Sequence, residues 1–330
     1  MPEMKYQTLG STGIPVSAIS FGAGPVSGLM TSADLKRQAS VVESALEAGI
    51  NWFDTAATYG SGRSEESLGE VLSSLAAHDR VHVASKVRLM PEHLDEIPRH
   101  VFASVQESLR RLQRPKLTLL QLHNSITPSR GDEPTSLTPA DVLGPGGVLG
   151  ACEKLRAEGL VDFFGLTGIG SPAALREVVA SGEFATVQTP YHLLNPSAGE
   201  SAPEGFGETD YGNIIGACVD LGMGVFAIRV FAAGALLGNR PSDHTRKTPF
   251  FPLSLYERDT RRAKRLQEIL DARIDMHELA VRFVLSHPGV TSAILGFGEP
   301  AHVESAIRAM SSGPLSPQLL ENIRAGLASA

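Results

Sequence analysis

Cysteine, long apolar stretches and blocks of like charge are all scarce in this chain of 330 residues. Its two cysteines, Cys152 and Cys218, are too few for a disulfide framework or a thiolate cage, and a reducing cytoplasmic setting is expected. No apolar stretch approaches the ~18 uninterrupted residues of a membrane span, so no membrane partner is expected. The opening MPEMKYQTLG lacks a basic segment followed by an apolar one, and no secretory signal is read from it. Net charge is −7 with no basic surplus, which argues against a nucleic-acid partner. No internal repeat is visible, and no linker is long or polar enough to separate domains, so residues 1–330 are read as one domain.

What the chain does have is a regular alternation. Eight short β-rich runs recur: SAISFG (17–22), NWFDTA (51–56), VHVASK (81–86), LTLLQLH (117–123), DFFGLT (162–167), ATVQTPY (185–191), GVFAIRV (224–230) and TSAILGF (291–297). Segments of helical spacing lie between them, near 32–48, 64–76, 99–112, 148–158, 172–180, 211–221, 276–286 and 299–310, with an additional helix over 256–273. Gly49 reads as the residue closing the first helix, and Ser64 as the N-cap of the second, with Glu65 and Glu66 in its first turn. Near-continuous apolar strands alternating with helices predict a parallel sheet covered on its outside, and eight such units predict a closed (β/α)8 TIM barrel. The segment 6–17 reads as an N-terminal β-hairpin that plugs the barrel bottom. Three long connections, 124–147, 192–210 and 231–255, all follow strands and so belong to the catalytic face.

Four side chains stand near the ends of the second, third and fourth runs: Asp54, Tyr59, Lys86 and His123. Each has an ordinary explanation alone: a turn carboxylate, a loop aromatic, a snorkelling lysine, a barrel-rim histidine. Together, on strands whose ends share one face, an acid, a phenol, an amine and an imidazole point to proton transfer at one pocket.

The segment FDTAATYGSGRSEESLGEVL (53–72), the Lys of ASK (84–86) and the His of LLQLHN (119–124) resemble the aldo-keto reductases. Weaker matches in VQTPYHLLNP (187–196), RVFAAGALLG (229–238) and AILGFGEPAHVE (293–304) carry the resemblance over nearly the full length. It implies a (β/α)8 barrel, a nicotinamide cofactor and interconversion of a carbonyl with its alcohol. Tyr59 is then the general acid/base, with Lys86 favouring its phenolate, Asp54 orienting Lys86, and His123 hydrogen-bonding the substrate oxygen.

The same resemblance implies a cofactor set. A hydroxyl and an amide for the nicotinamide carboxamide fall at Thr167 and Gln188, while Gly168 stands where the family has Asn. Ile228, or the neighbouring Arg229, takes the position of a stacking aromatic, and Gly22, Phe231 and Ala233 complete that wall. Arg229 is read equally as a partner of pyrophosphate or of an anionic substrate, or as a rim ion pair with an acid such as Asp210. Around Gly296, Phe297, Gly298 and His302 the family's Arg or Lys for a 2′-phosphate is not evident, and Glu299 is nearby. NADP(H) is therefore expected by family habit, with NAD(H) a plausible rival.

Pro25, Arg88, Asn124 and Tyr191 are the expected substrate contacts, a polar rim suited to a sugar, another hydroxylated aldehyde or a small anionic carbonyl compound. The expected partner is thus a small carbonyl or alcohol substrate, and a homo-oligomer is compatible with the sequence. The alternative is a cofactor-binding regulatory or interaction subunit with little turnover. No metal is expected, because His123 and Asp54 supply too few ligands and Lys86 beside them disfavours a cation.

Overall fold

Period-two alternation in each short run decides which side chains enter the barrel. In a computed structural model describing residues 2–329, the antiparallel pair β1 (Tyr6–Thr8) and β2 (Pro15–Ser17) precedes eight parallel strands. These are β3 (Ile19–Gly22), β4 (Trp52–Asp54), β5 (His82–Val87), β6 (Leu117–Leu122), β7 (Val161–Thr167), β8 (Thr186–Pro190), β9 (Gly224–Ile228) and β10 (Ser292–Gly296). They close in sequence order, with β10 pairing β3, into one barrel. Each of the eight predicted runs coincides with one of its strands to within a residue or two, β5 and β7 each reaching one residue beyond their runs.

The barrel interior is filled in layers, as its alternating side chains require. Leu9, Val16, Trp52, Ala84, Leu119, Phe226 and Ile294 form a separate apolar cluster inside the barrel. Trp52 and Phe226 meet with ring centroids 4.8 Å apart. The N-terminal hairpin supplies Leu9 and Val16, so it does seal that end. Gly224 makes room for it, since a Cβ there would stand 2.3 Å from Leu9 Cδ1. One step further along β4, β5, β6 and β8 the interior turns polar, with Asp54, Lys86, Gln121 and Gln188 all buried.

The nine predicted helices are present. Leu35–Glu47 ends before Gly49, whose φ of 85° suits a left-handed closing residue. The second helix, Arg63–Ser74, corrects one expectation. Gly62, at φ 93°, takes the N-cap position, and Ser64 instead lies buried, donating to the Ala23 carbonyl at 2.8 Å and meeting Thr55 Oγ1 at 2.9 Å. Glu65 is likewise buried, bonded to Ser85 Oγ on β5 and to Arg111 at 2.7 Å on the helix Ile97–Leu112. The long connections carry structure that apolar spacing did not reveal: Pro139–Leu143 within 124–147, and Asp243–Lys247 within 231–255. A last helix, Pro317–Ser329, was also not read from the sequence.

Candidate active site

Asp54 ends β4 facing inward, and Lys86 stands on β5 in the same polar layer. Lys86 Nζ is fully buried; it is bonded to Asp54 Oδ1, to the Thr55 carbonyl at 2.8 Å and to Tyr59 Oη at 3.3 Å. The other carboxylate oxygen of Asp54 accepts from Gln121 Nε2 at 3.1 Å and from Gln188 Nε2 at 2.9 Å. Gly165 on β7 keeps this layer compact, because a Cβ there would lie 2.2 Å from Thr186 Oγ1 and 3.3 Å from Gln121 Cγ. Burial alone would pull the Lys86 ammonium towards neutrality. The Asp54 carboxylate, then Tyr59, outweigh that, and the net direction is upward, so Lys86 remains a cation.

A tight turn after β4 brings Tyr59 back over this layer. Gly60, Ser61 and Gly62 all have positive φ, which reverses the chain before the helix begins. Tyr59 is half-buried, with its ring 5.7 Å from that of His123 and nearly perpendicular to it. His123 directly follows β6; its Nδ1 lies 3.4 Å from Thr58 Oγ1. Burial, with Arg88 and Lys86 nearby, holds its imidazole well below the usual histidine range, so it is neutral near pH 7. The four sequence-selected residues therefore do meet, three of them in direct hydrogen-bonded sequence.

Above them opens a cavity of about 870 Å³. Gly22, Pro25, Asp54, Tyr59, Arg88, His123, Thr167, Gln188, Ile228, Arg229, Phe231, Ala233, Gly296, Phe297, Gly298 and His302 all line it. Four selected residues do not: Lys86 is fully buried behind Asp54 and Tyr59, and the other three are turned elsewhere. Gly168 is packed between β7 and β8, with its N–H bonded to the Gln188 carbonyl. Asn124 is fully buried and ties the Leu89 backbone to the Thr135 carbonyl. Tyr191 is stacked on Phe283 in the core, with ring centroids 5.3 Å apart. Phe297 is almost wholly core too, packed 5.5 Å from Phe21.

The charge around the cavity is one-sided. Its wall carries Arg37, Arg88, Arg229, Arg240 and Lys247, against one carboxylate, Asp54, which Lys86 neutralises. None of those five cations forms an ion pair among the described residues. Arg229, in a left-handed backbone conformation (φ 57°), lies with its guanidinium carbon 3.8 Å from the Phe251 ring centre. Its supposed partner Asp210 is engaged elsewhere, accepting from the Gly212 N–H at 2.7 Å.

Sequence reading missed Arg37, Gln121, Phe250 and Phe251. Arg37 comes from the first barrel helix, 261 residues before Gly298, yet its Nε donates to the Gly298 carbonyl at 2.9 Å. No local signal could link these positions. Glu299, next in the chain, faces His302 Nε2 at 3.3 Å. Gln121 was legible, since it stands two residues before His123 on the same strand face.

Comparison with known proteins gives a consistent result. The model of the "Aldo/keto reductase family" matches residues 18–327. D-threo-aldose 1-dehydrogenase of Pseudomonas sp is 28% identical over 319 residues, covering 89% of each chain. L-galactose dehydrogenase of Arabidopsis thaliana is 32% identical over 170 residues, 51% of this chain and 50% of that protein. The holo form of aldo-keto reductase AKR11C1 from Bacillus halodurans superposes with a TM-score of 0.73 at 23% identity, covering 98% and 96% of the two chains.

Proposed function

This chain belongs to the aldo/keto reductase family, and we propose that it interconverts a polar hydroxylated aldehyde or ketone, such as a sugar, with its alcohol. The observation that carries this reading is the buried relay from Asp54 through Lys86 to Tyr59, opening on a cation-lined cavity. Two of the similar proteins are named as sugar dehydrogenases, which supports the substrate class.

The wall suits a polyanionic dinucleotide, having five cations and one neutralised acid. Thr167 donates its hydroxyl proton to the Leu122 carbonyl at 2.8 Å, and Gln188 Nε2 is bonded to Asp54. Both side chains therefore face the cavity with acceptor oxygens, which matches the two N–H donors of a carboxamide. Arg229 is suited to pyrophosphate, and Arg37 to a 2′-phosphate beside Gly298. NADP(H) is thus the favoured cofactor. When bound, a nicotinamide would give or accept the hydride.

The chain's own groups manage the proton. In reduction, Tyr59 Oη gives its proton to the carbonyl oxygen. Lys86 Nζ then stabilises the phenolate by charge and hydrogen bonding, while Asp54 keeps Lys86 cationic and fixed. A hydroxyl bond from Thr58 to Nδ1 would make Nε2 of neutral His123 the N–H that orients the carbonyl. Oxidation uses the same groups, with Tyr59 as base. A regulatory subunit without turnover has no need of a buried ammonium aimed at a phenol.

The test is turnover of D-glyceraldehyde with NADPH or NADH, alongside fluorescence titration of each nucleotide. Tyr59→Phe should lower kcat by at least about 100-fold while the nucleotide Kd stays within about twofold. Full activity in that variant would remove Tyr59 from the proton step. Failure of the wild type to bind either nucleotide would end the hydride-transfer reading.

A further inference from the structure

Arg88 stands two residues beyond Lys86, so strand alternation aims both at the barrel interior. Lys86 is consumed by Asp54 below; Arg88 is not consumed by anything of opposite charge. Its guanidinium reaches only the His123 carbonyl, at 3.4 Å from both Nε and Nη2, and the face of Phe250, 4.4 Å from the ring centre. Among the described residues it has no carboxylate partner. It is half-buried on the wall of the cavity that holds Tyr59 and His123. A partly desolvated cation without a counter-ion is costly unless a ligand supplies one.

The barrel's geometry separates this cation from Arg229. β5 and β9 lie four strands apart in either direction around an eight-stranded barrel, hence on opposite sides. Phe250 covers Arg88 and its neighbour Phe251 covers Arg229, so this adjacent pair stands at the cavity between the two cations. One cation therefore serves the side where β9, β10 and β3 meet, and the other serves the side of Tyr59 and His123. An anion at Arg88 would lie on a molecule whose carbonyl is at the Tyr59 hydroxyl.

We propose that the substrate of this site carries an anionic group, a carboxylate or a phosphate, and that Arg88 is the residue that selects for it. This rests on the carbonyl-reduction reading above and narrows it from polar aldehydes to charged ones. Phe250 lies against the planar guanidinium; with Nε and one Nη2 hydrogen directed at the His123 carbonyl, the Nη1 and remaining Nη2 hydrogens form a two-pronged donor edge suited to a carboxylate or phosphate.

The test compares matched aldehydes on wild type, Arg88→Met and Arg88→Lys: 4-oxobutanoate against butanal for a carboxylate, D-glyceraldehyde 3-phosphate against D-glyceraldehyde for a phosphate. Wild type should prefer the charged member of one pair, and which pair it is identifies the anion. Arg88→Met should lower the charged-to-neutral ratio of kcat/KM by about 10- to 100-fold. Arg88→Lys should recover part of it. Equal losses on both members would make Arg88 a support for the His123 backbone and overturn the proposal, as would a wild type with no preference for either anion. If wild type turned over no aldehyde, the carbonyl-reduction reading would fail by itself. Calorimetric titration with 4-oxobutanoate and with inorganic phosphate then decides the anion site: binding lost in Arg88→Met supports it, and no binding by wild type overturns it.

Discussion

Lys86 and His123 are close neighbours with opposite electrostatic fates. Lys86 has a carboxylate against it and keeps its proton; His123 is buried, with cations around it, and loses its own. Three predictions belong to this scale. Lys86→Met should cut kcat by at least about 100-fold, because the phenolate of Tyr59 would then form without a compensating charge. Asp54→Ala should destabilise the fold by roughly 3–5 kcal/mol, since it leaves a buried ammonium unpaired, and thermal melting reads this directly. His123 titrates well below 6.5, so it contributes no limb to kcat/KM between pH 6 and 7.5. A limb near 6.5 that vanished in His123→Gln would contradict a neutral imidazole.

Elements matter here through how closely they approach. The helix Arg63–Ser74 meets Ile97–Leu112 at Gly69, where a Cβ would lie 2.5 Å from the Arg111 carbonyl. Gly69→Ala should therefore cost about 1–3 kcal/mol in denaturant unfolding, and the gain in helix propensity is too small to offset it. The same contact positions Arg111 on Glu65, which reaches β5 through Ser85 and so steadies the strand that carries Lys86. The loop after β10 is completed by another element in the same way. Arg37→Ala should raise the Kd for NADPH about tenfold more than that for NADH, because only the former has a 2′-phosphate for the lost charge. Equal effects on both nucleotides would place Arg37 in a merely structural role at Gly298.

Across the whole molecule, acid sensitivity is built into buried neutral histidines. His192, beside Arg229 and Arg262, is pushed down to about 3 by burial first and by those cations second. Its folded value lies below the unfolded value near 6.5. The stability it contributes is therefore complete above about pH 6.5 and is lost as pH falls towards 3. His192→Gln should reduce the loss of stability between pH 7 and pH 5 by up to roughly 2 kcal/mol, measured as the pH dependence of unfolding free energy.

The sequence by itself determined the barrel, because strand and helix periodicity are local and eight alternating units leave one closed parallel arrangement. It also marked the four side chains that meet at one layer, since Asp54, Lys86 and His123 are carried by strand ends and Tyr59 by the turn that follows one. The short helices at 139–143 and 243–247 were not legible, for five residues hold too little of a helical period to register. What only the tertiary structure decided were the pairings between distant segments: Arg37 on Gly298, Phe250 on Arg88, Phe251 on Arg229, and Gln121 and Gln188 on Asp54. It also withdrew Asn124 and Tyr191 from the cavity. Each was a polar residue following a strand, as a contact residue would be, and each was turned into the core by backbone acceptors or an aromatic stack that lie far away in the chain. Charge in the cavity belongs to the same class: a chain of net −7 builds a pocket whose charged side chains are cations but for Asp54, which no linear count of residues could have revealed.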